Sequence, residues 1–142
     1  MTIAAHRILI LITFIFLAGC AVLQPVAPPT QPSGNTAVVA LLNKAQSQAA
    51  AGRMDEARAS LERALRIEPR NPVLWQKLAR IRLDQGQYRQ AENLAAKSNV
   101  LAGADRNLQV ENWHIIGEAR SRLGDLQGAR AAFEKAENIP KN

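Results

Sequence analysis

The sequence predicts an all-α chain in which about three helix–turn–helix units stack into a short solenoid. Three observations predict it. Landmark residues recur at a spacing of 34: Gly52 and Gly86, Ala57 and Ala91, Ala45 and Ala79, Leu41 and Trp75. The landmarks return 38 residues further on, with Trp75 mapping to Trp113, Ala79 to Gly117, Gly86 to Gly124 and Ala91 to Ala129. Aromatics make up only 4% of the chain, alanine is abundant, and beyond the first residues no alternating β-branched stretch occurs. Such a composition favours helices that pack through small side chains.

The chain opens differently. A short segment, Met1 to Arg7, carries a positive charge, Ile8 to Ala18 is apolar apart from Thr13, and Leu17-Ala18-Gly19-Cys20 follows. The order is that of a secretory signal, and the apolar run is short for a permanent membrane span. The last four residues resemble the bacterial lipobox at every position. That resemblance implies cleavage before Cys20 and acylation of Cys20, with two or more acyl chains giving stable anchoring. An uncleaved N-terminal anchor is the alternative, and both place the remainder outside the cytoplasm. Ala21 is not the aspartate that resembles an inner-membrane retention signal, so an outer-membrane position facing the periplasm is expected. Cys20 is the only cysteine, which leaves no intramolecular disulfide to form.

From Ala21 to Thr36 lie Pro25, Pro28, Pro29 and Pro32 with Ser33, Gly34 and Asn35. This reads as a disordered tether without a core-forming pattern. Sixteen extended residues reach at most about 50 Å at 3.1 Å each. The expected organisation is a signal peptide over 1–19, a lipidated cysteine and linker over 20–36, and a repeat domain over 37–142.

Within that domain the spacing predicts helices over Ala37 to Ala51, Met54 to Ile67, Pro72 to Gln85, Tyr88 to Leu101, Arg106 to Leu123 and Leu126 to Asn138. Gly52, Gly86 and Gly124 supply the left-handed conformation that ends a helix. Asn71-Pro72 reads as an N-cap followed by proline at the first helical position, and Asp105 and Asp125 as further caps. Small residues at Ala45, Ala79 and Gly117 allow paired helices to approach closely. Trp75, Tyr88, Trp113 and Phe133 are expected in the core. The four extra residues before the third unit fall within Leu101 to Leu108, so its first helix starts about one turn early.

The period and its landmarks resemble the tetratricopeptide repeat. Trp75-x-x-Leu78-Ala79 and Trp113-x-x-Ile116-Gly117 follow that family's first-helix pattern, and Ala129 with Phe133 its second. Leu41-x-x-Lys44-Ala45 departs from it at Lys44. The resemblance implies a right-handed solenoid whose first helices line a concave groove, faced by Asn43, Gln46, Gln76, Arg80, Asp84, His114, Glu118 and Arg122. Arg80 with Asp84, and Glu118 with Arg122, are four apart on one helix face. Either they form intrahelical ion pairs that solubilise the groove, or Arg80, His114 and Arg122 receive a partner's carboxylate or carbonyl.

Reactive groups do not converge in this chain. His6 belongs to the leader, His114 is the other histidine, and there is no phosphate-binding glycine loop, metal-ligand spacing or nucleophile with a base. No enzymatic activity, cofactor, catalytic residue or metal is expected. The net charge of +6 is dispersed, with Arg53, Arg58, Arg63 and Arg66 interleaved with Asp55, Glu56, Glu62 and Glu68, which argues against nucleic acid as the partner.

Asn71-Pro-Val-Leu-Trp-Gln-Lys-Leu-Ala-Arg-Ile-Arg-Leu-Asp-Gln-Gly-Gln-Tyr, Ala91-Glu-Asn-Leu-Ala-Ala-Lys-Ser-Asn and Asn112-Trp-His-Ile-Ile-Gly-Glu-Ala-Arg resemble short tetratricopeptide lipoproteins of Gram-negative bacteria, the LpoP group. Its members stimulate a bifunctional class A penicillin-binding protein, which polymerises and cross-links peptidoglycan. The resemblance implies that partner here. The alternative is an envelope assembly scaffold, such as a pilotin-like chaperone for a pilus or secretion system.

Overall fold

A computed structural model of the chain describes residues 33–140. The expected signal peptide, Cys20 and the tether as far as residue 32 lie outside the described residues. Six helices follow: α1 (Thr36–Ala50), α2 (Met54–Ile67), α3 (Pro72–Asp84), α4 (Tyr88–Leu101), α5 (Arg106–Arg122) and α6 (Leu126–Glu137). No strand occurs among the described residues. Each helix lies where the repeat spacing puts it, with ends moved by at most one residue. Ala51, Gln85, Leu123 and Asn138, expected as last helical residues, are the C-caps.

Local chemistry accounts for these ends. The Asn35 side chain accepts from the backbone N–H groups of Ala37 and Val38, and Asn71 from those of Val73 and Leu74. Asp105 accepts from Leu108 N–H at 3.0 Å and Asp125 from Gly128 N–H at 2.8 Å. Each bond satisfies an amide that the first helical turn leaves without an intrahelical partner. At the turns within pairs, Gly52, Gly86 and Gly124 have φ of 74°, 74° and 85°. The residue after each glycine then donates to a carbonyl five positions back, as Arg53 does to Gln48 at 2.9 Å and Gln87 to Arg82 at 2.8 Å, which closes the last helical turn. Gly103, with φ of 56°, takes the left-handed conformation between α4 and the lengthened α5, which the repeat period does not reveal.

The helices pair as α1 with α2, α3 with α4 and α5 with α6, and each pair packs on the next as a helical solenoid. Burial falls on the small positions: Ala45, Ala57, Ala79, Ala91, Ala95, Ala119 and Ala132 are almost wholly enclosed. One apolar cluster joins Val38, Leu42, Leu61, Leu65, Leu74, Leu78 and Ile81 from α1, α2 and α3. A second joins Ala79, Leu83, Ala91, Ala95, Ile115, Ile116 and Ala132 from α3 to α6. Helix α3 supplies both and is the spine of the stack. None of the described helices is long and apolar enough to cross a membrane.

The expected core aromatics are each half-buried: Trp75, Tyr88 and Trp113 pack against the apolar clusters from their edges, and the Phe133 ring lies over Gly117 between α5 and α6. Trp75 Nε1 donates to the Pro69 carbonyl at 2.8 Å. Lys97 Nζ stands 3.8 Å from the Trp75 ring centroid, and Lys135 Nζ 4.5 Å from that of Trp113. These cation–π contacts cover the ring faces that the core does not.

Gly117 shows how close the paired helices come: a Cβ built there would lie 2.5 Å from the Phe133 ring. Gly117→Leu and Ala79→Leu are therefore expected to overpack their interfaces and cost about 1 to 3 kcal/mol each. Thermal unfolding checks this, and unchanged melting of both variants would contradict the packing described.

Candidate partner-binding groove

The first helices of the three pairs, α1, α3 and α5, lie side by side, and the eight residues expected on their shared face do not all reach it. Gln46 on α1, Arg80 and Asp84 on α3, and Glu118 and Arg122 on α5 are exposed or half-exposed. Gln76 is not, being only 4% exposed. It points from α3 at α5, where its Nε2 donates to Glu111 Oε2. The residues at its repeat position are Leu42, 34 earlier, and His114, 38 later. Leu42 is enclosed against α3 in the same way, whereas His114 is exposed, with no further helix on that side of α5 among the described residues. The His114 ring instead lies 5.9 Å from that of Phe133 at a tilt of 41°. Asn43 is exposed but stands one position away from Leu42 and lines no part of the cleft described below.

The expected intrahelical pairs are replaced by a bridge between helices. Arg80 Nη1 meets Glu118 Oε2 at 3.2 Å across α3 and α5. Arg122 is left with no ion pair among the described residues. A guanidinium at i reaches i+4 only if nothing nearer competes, and here the neighbouring helix brings a carboxylate into the same space. With side chains 43% and 45% exposed, the bridge adds little stability. It does close the groove between the second and third pairs.

Between the first and second pairs the groove stays open. A cleft of about 120 Å³ separates α1 from α3, floored by Leu42, Ala45, Ala49, Leu61 and Ile81 and rimmed by Gln46, Lys77, Arg80 and Asp84. Lys77, which the pattern of groove positions overlooks, has no ion pair among the described residues. Its signal in the sequence is weak, since a lysine on an amphipathic helix is ordinarily just solvated. An apolar floor with a cationic rim can seat an apolar side chain while Lys77 or Arg80 receives an adjacent carboxylate or carbonyl. No group of three His, Cys, Asp or Glu side chains able to hold a metal occurs among the described residues.

With this geometry in place, the comparisons are specific. Residues 48–102 match one tetratricopeptide-repeat family and residues 110–142 a second. The globular C-terminal domain of LpoP from P. aeruginosa superimposes with a TM-score of 0.72 at 41% identity, covering 74% of this chain and 99% of that domain. This chain is a tetratricopeptide-repeat protein of the LpoP type. Two more distant structures share the fold. The N-terminal domain of stress-induced protein-1 from C. elegans has a TM-score of 0.69 at 15% identity, covering 76% of this chain and 90% of that one. The second repeat domain of Spaghetti, solved with an HSP90 peptide, has a TM-score of 0.66 at 20% identity, covering 74% and 94%. No curated protein matches the chain.

The Asp84 carboxyl is pushed above its ordinary value of 3.8, first by the desolvating groove walls and then by Glu118, with Arg80 opposing both. A carboxyl whose folded-state value is raised holds its proton more tightly folded than unfolded. Its contribution to stability therefore falls as pH rises through its titration range, and at neutral pH the charged form is a cost. Asp84→Asn is expected to raise the melting temperature slightly at pH 7 and to change little below the ordinary value. Melting curves at the two pH values check both halves.

Proposed function

We propose that this chain is an outer-membrane-anchored periplasmic lipoprotein whose repeat domain binds and activates a bifunctional peptidoglycan synthase, a class A penicillin-binding protein. The observation that carries the reading is similarity at 41% identity over 99% of the LpoP globular domain. The open apolar cleft with Lys77 and Arg80 on its rim supplies the contact surface. Tetratricopeptide domains are scaffolds for binding other proteins.

Activation by such a domain is a matter of differential affinity. It can favour the active state of the synthase only to the extent that it binds that state more tightly. Geometry restricts where the two meet. Because Ser33 already belongs to the ordered domain, the free reach from Cys20 falls from the expected 50 Å to at most about 40 Å at 3.1 Å per residue. The contact must therefore form within reach of the anchoring membrane.

Acylation of Cys20 is tested by metabolic labelling with palmitate, which Cys20→Ser is expected to abolish; persistent labelling would remove the anchor from the proposal. Partner binding is tested by glycan polymerisation with the purified synthase of the same organism. Wild-type domain is expected to stimulate it. Ala49→Phe, which plugs the cleft, and Arg80→Glu, which reverses its rim, are each expected to weaken binding about tenfold, roughly 1.4 kcal/mol. Helical content should not change. Absence of stimulation by the wild type would defeat the reading.

A further inference from the structure

One end of the stack carries a compact ridge of arginines. The ion pairs among the described residues join Arg53, Arg58, Arg80, Arg82 and Arg120 to Asp55, Glu56, Glu62, Glu92 and Glu118. None involves Arg63, Arg66 or Arg70, all three of them exposed. Arg63, Arg66 and Ile67 stand at i, i+3 and i+4, so they form one ridge at the C-terminal end of α2, and Arg70 continues it into the turn. Of the nearby carboxylates, one is paired with a cation and the other keeps its charge while accepting from neutral donors. Glu62 holds Arg58 at 2.9 Å, and Glu68 accepts from Ser33 Oγ at 2.6 Å and from Asn71 Nδ2 at 2.7 Å.

Apolar exposure accompanies the cations. Ile67 is 45% exposed and Val100 85%, and they occupy the C-terminal ends of α2 and α4. Successive helices run antiparallel, so the two lie at the same end of the stack. The opposite end also carries exposed Leu123 and Leu126 and the exposed Arg89, Arg122 and Arg130, which join no ion pair among the described residues, with Arg120 held by Glu92 at 2.7 Å; what sets the first end apart is that the chain enters there.

The same end is where the chain enters the domain. The Ser33 bond to Glu68 pins the start of the ordered chain beside the α2–α3 turn. The helices are 12 to 17 residues long, about 18 to 26 Å. At most about 40 Å of chain separates Ser33 from Cys20, so an anchor at Cys20 would attach to the domain at this end.

We propose that the end of the stack carrying Arg63, Arg66, Ile67, Arg70 and Val100 docks on an anionic phospholipid surface, the leaflet to which the chain is anchored. This rests on the reading that Cys20 is acylated. Unpaired arginines meet phosphate headgroups, and Ile67 and Val100 enter the boundary between headgroups and acyl chains. Each cation near an anionic leaflet strengthens such association about fivefold. Docking would fix the orientation of the domain and turn the α1–α3 cleft to a constant height above the membrane.

The test uses the acylated full chain reconstituted into vesicles that contain a lipid with a nitroxide on its headgroup. Trp75, bonded to the Pro69 carbonyl beside Arg70, reports contact by loss of its emission, and Trp113→Phe isolates its signal. Quenching is expected with phosphatidylethanolamine and phosphatidylglycerol vesicles. It should weaken as salt is raised and be small when phosphatidylcholine replaces phosphatidylglycerol. The triple variant Arg63→Glu, Arg66→Glu, Arg70→Glu should lower the docked population at least about tenfold while its circular dichroism is unchanged. Flotation with the vesicles reports anchoring separately. Protein that floats but is quenched equally in both lipid mixtures overturns docking and leaves anchoring intact, and protein that does not float overturns both. A triple variant that keeps its quenching but loses stimulation of the synthase assigns the ridge to the protein partner and likewise overturns docking.

Discussion

The close approach of the two helices in each pair is the constraint on which the rest of this structure depends. Gly117 lies directly beneath the Phe133 ring, and Ala79, Ala91 and Ala95 are fully enclosed between α3, α4 and their neighbours. Small residues at these crossings let the helices approach, while Leu61, Leu74, Ile115 and Ile116 fill the space between them. The core thus consists of aliphatic residues and alanine, and the rings of Trp75 and Trp113 lie at the edges under Lys97 and Lys135. Interiors packed at crystal-like density transmit such local choices outward.

Rigid pairs still leave freedom in how one meets the next, and the two junctions of this stack use it differently. Where α3 meets α5, Gln76 reaches Glu111 and Arg80 reaches Glu118, so polar contacts span the groove. Where α1 meets α3, Leu42, Ala49 and Ile81 leave an apolar cleft rimmed by cations. A binding surface thus arises at one junction and a closed wall at the other from the same repeat. At equivalent positions Leu42 stands in place of Gln76, and Gln46 in place of Arg80.

The end at which the chain enters presents Arg63, Arg66 and Arg70 beside exposed Ile67 and Val100. Surface charges of this kind contribute little to folding. Their arrangement instead governs what the domain meets and in which orientation it does so.

The helices, their caps and their turns were determined by the sequence alone, because each depends on neighbours within a few residues. The spacing of Gly52, Gly86 and Gly124, the caps at Asn71, Asp105 and Asp125, and the small residues at Ala45, Ala79 and Gly117 are all local signals with a fixed geometric meaning. Part of the groove was legible by the same logic: Gln46, Arg80 and Asp84 do line the cleft. The tertiary structure decided the rest. Whether Arg80 pairs with Asp84 or with Glu118, whether Gln76 is buried or free, and whether Leu42 or Asn43 faces the cleft all depend on where the next helix stands. That position is set by packing between residues more than thirty apart, and helical periodicity within one segment carries no information about it.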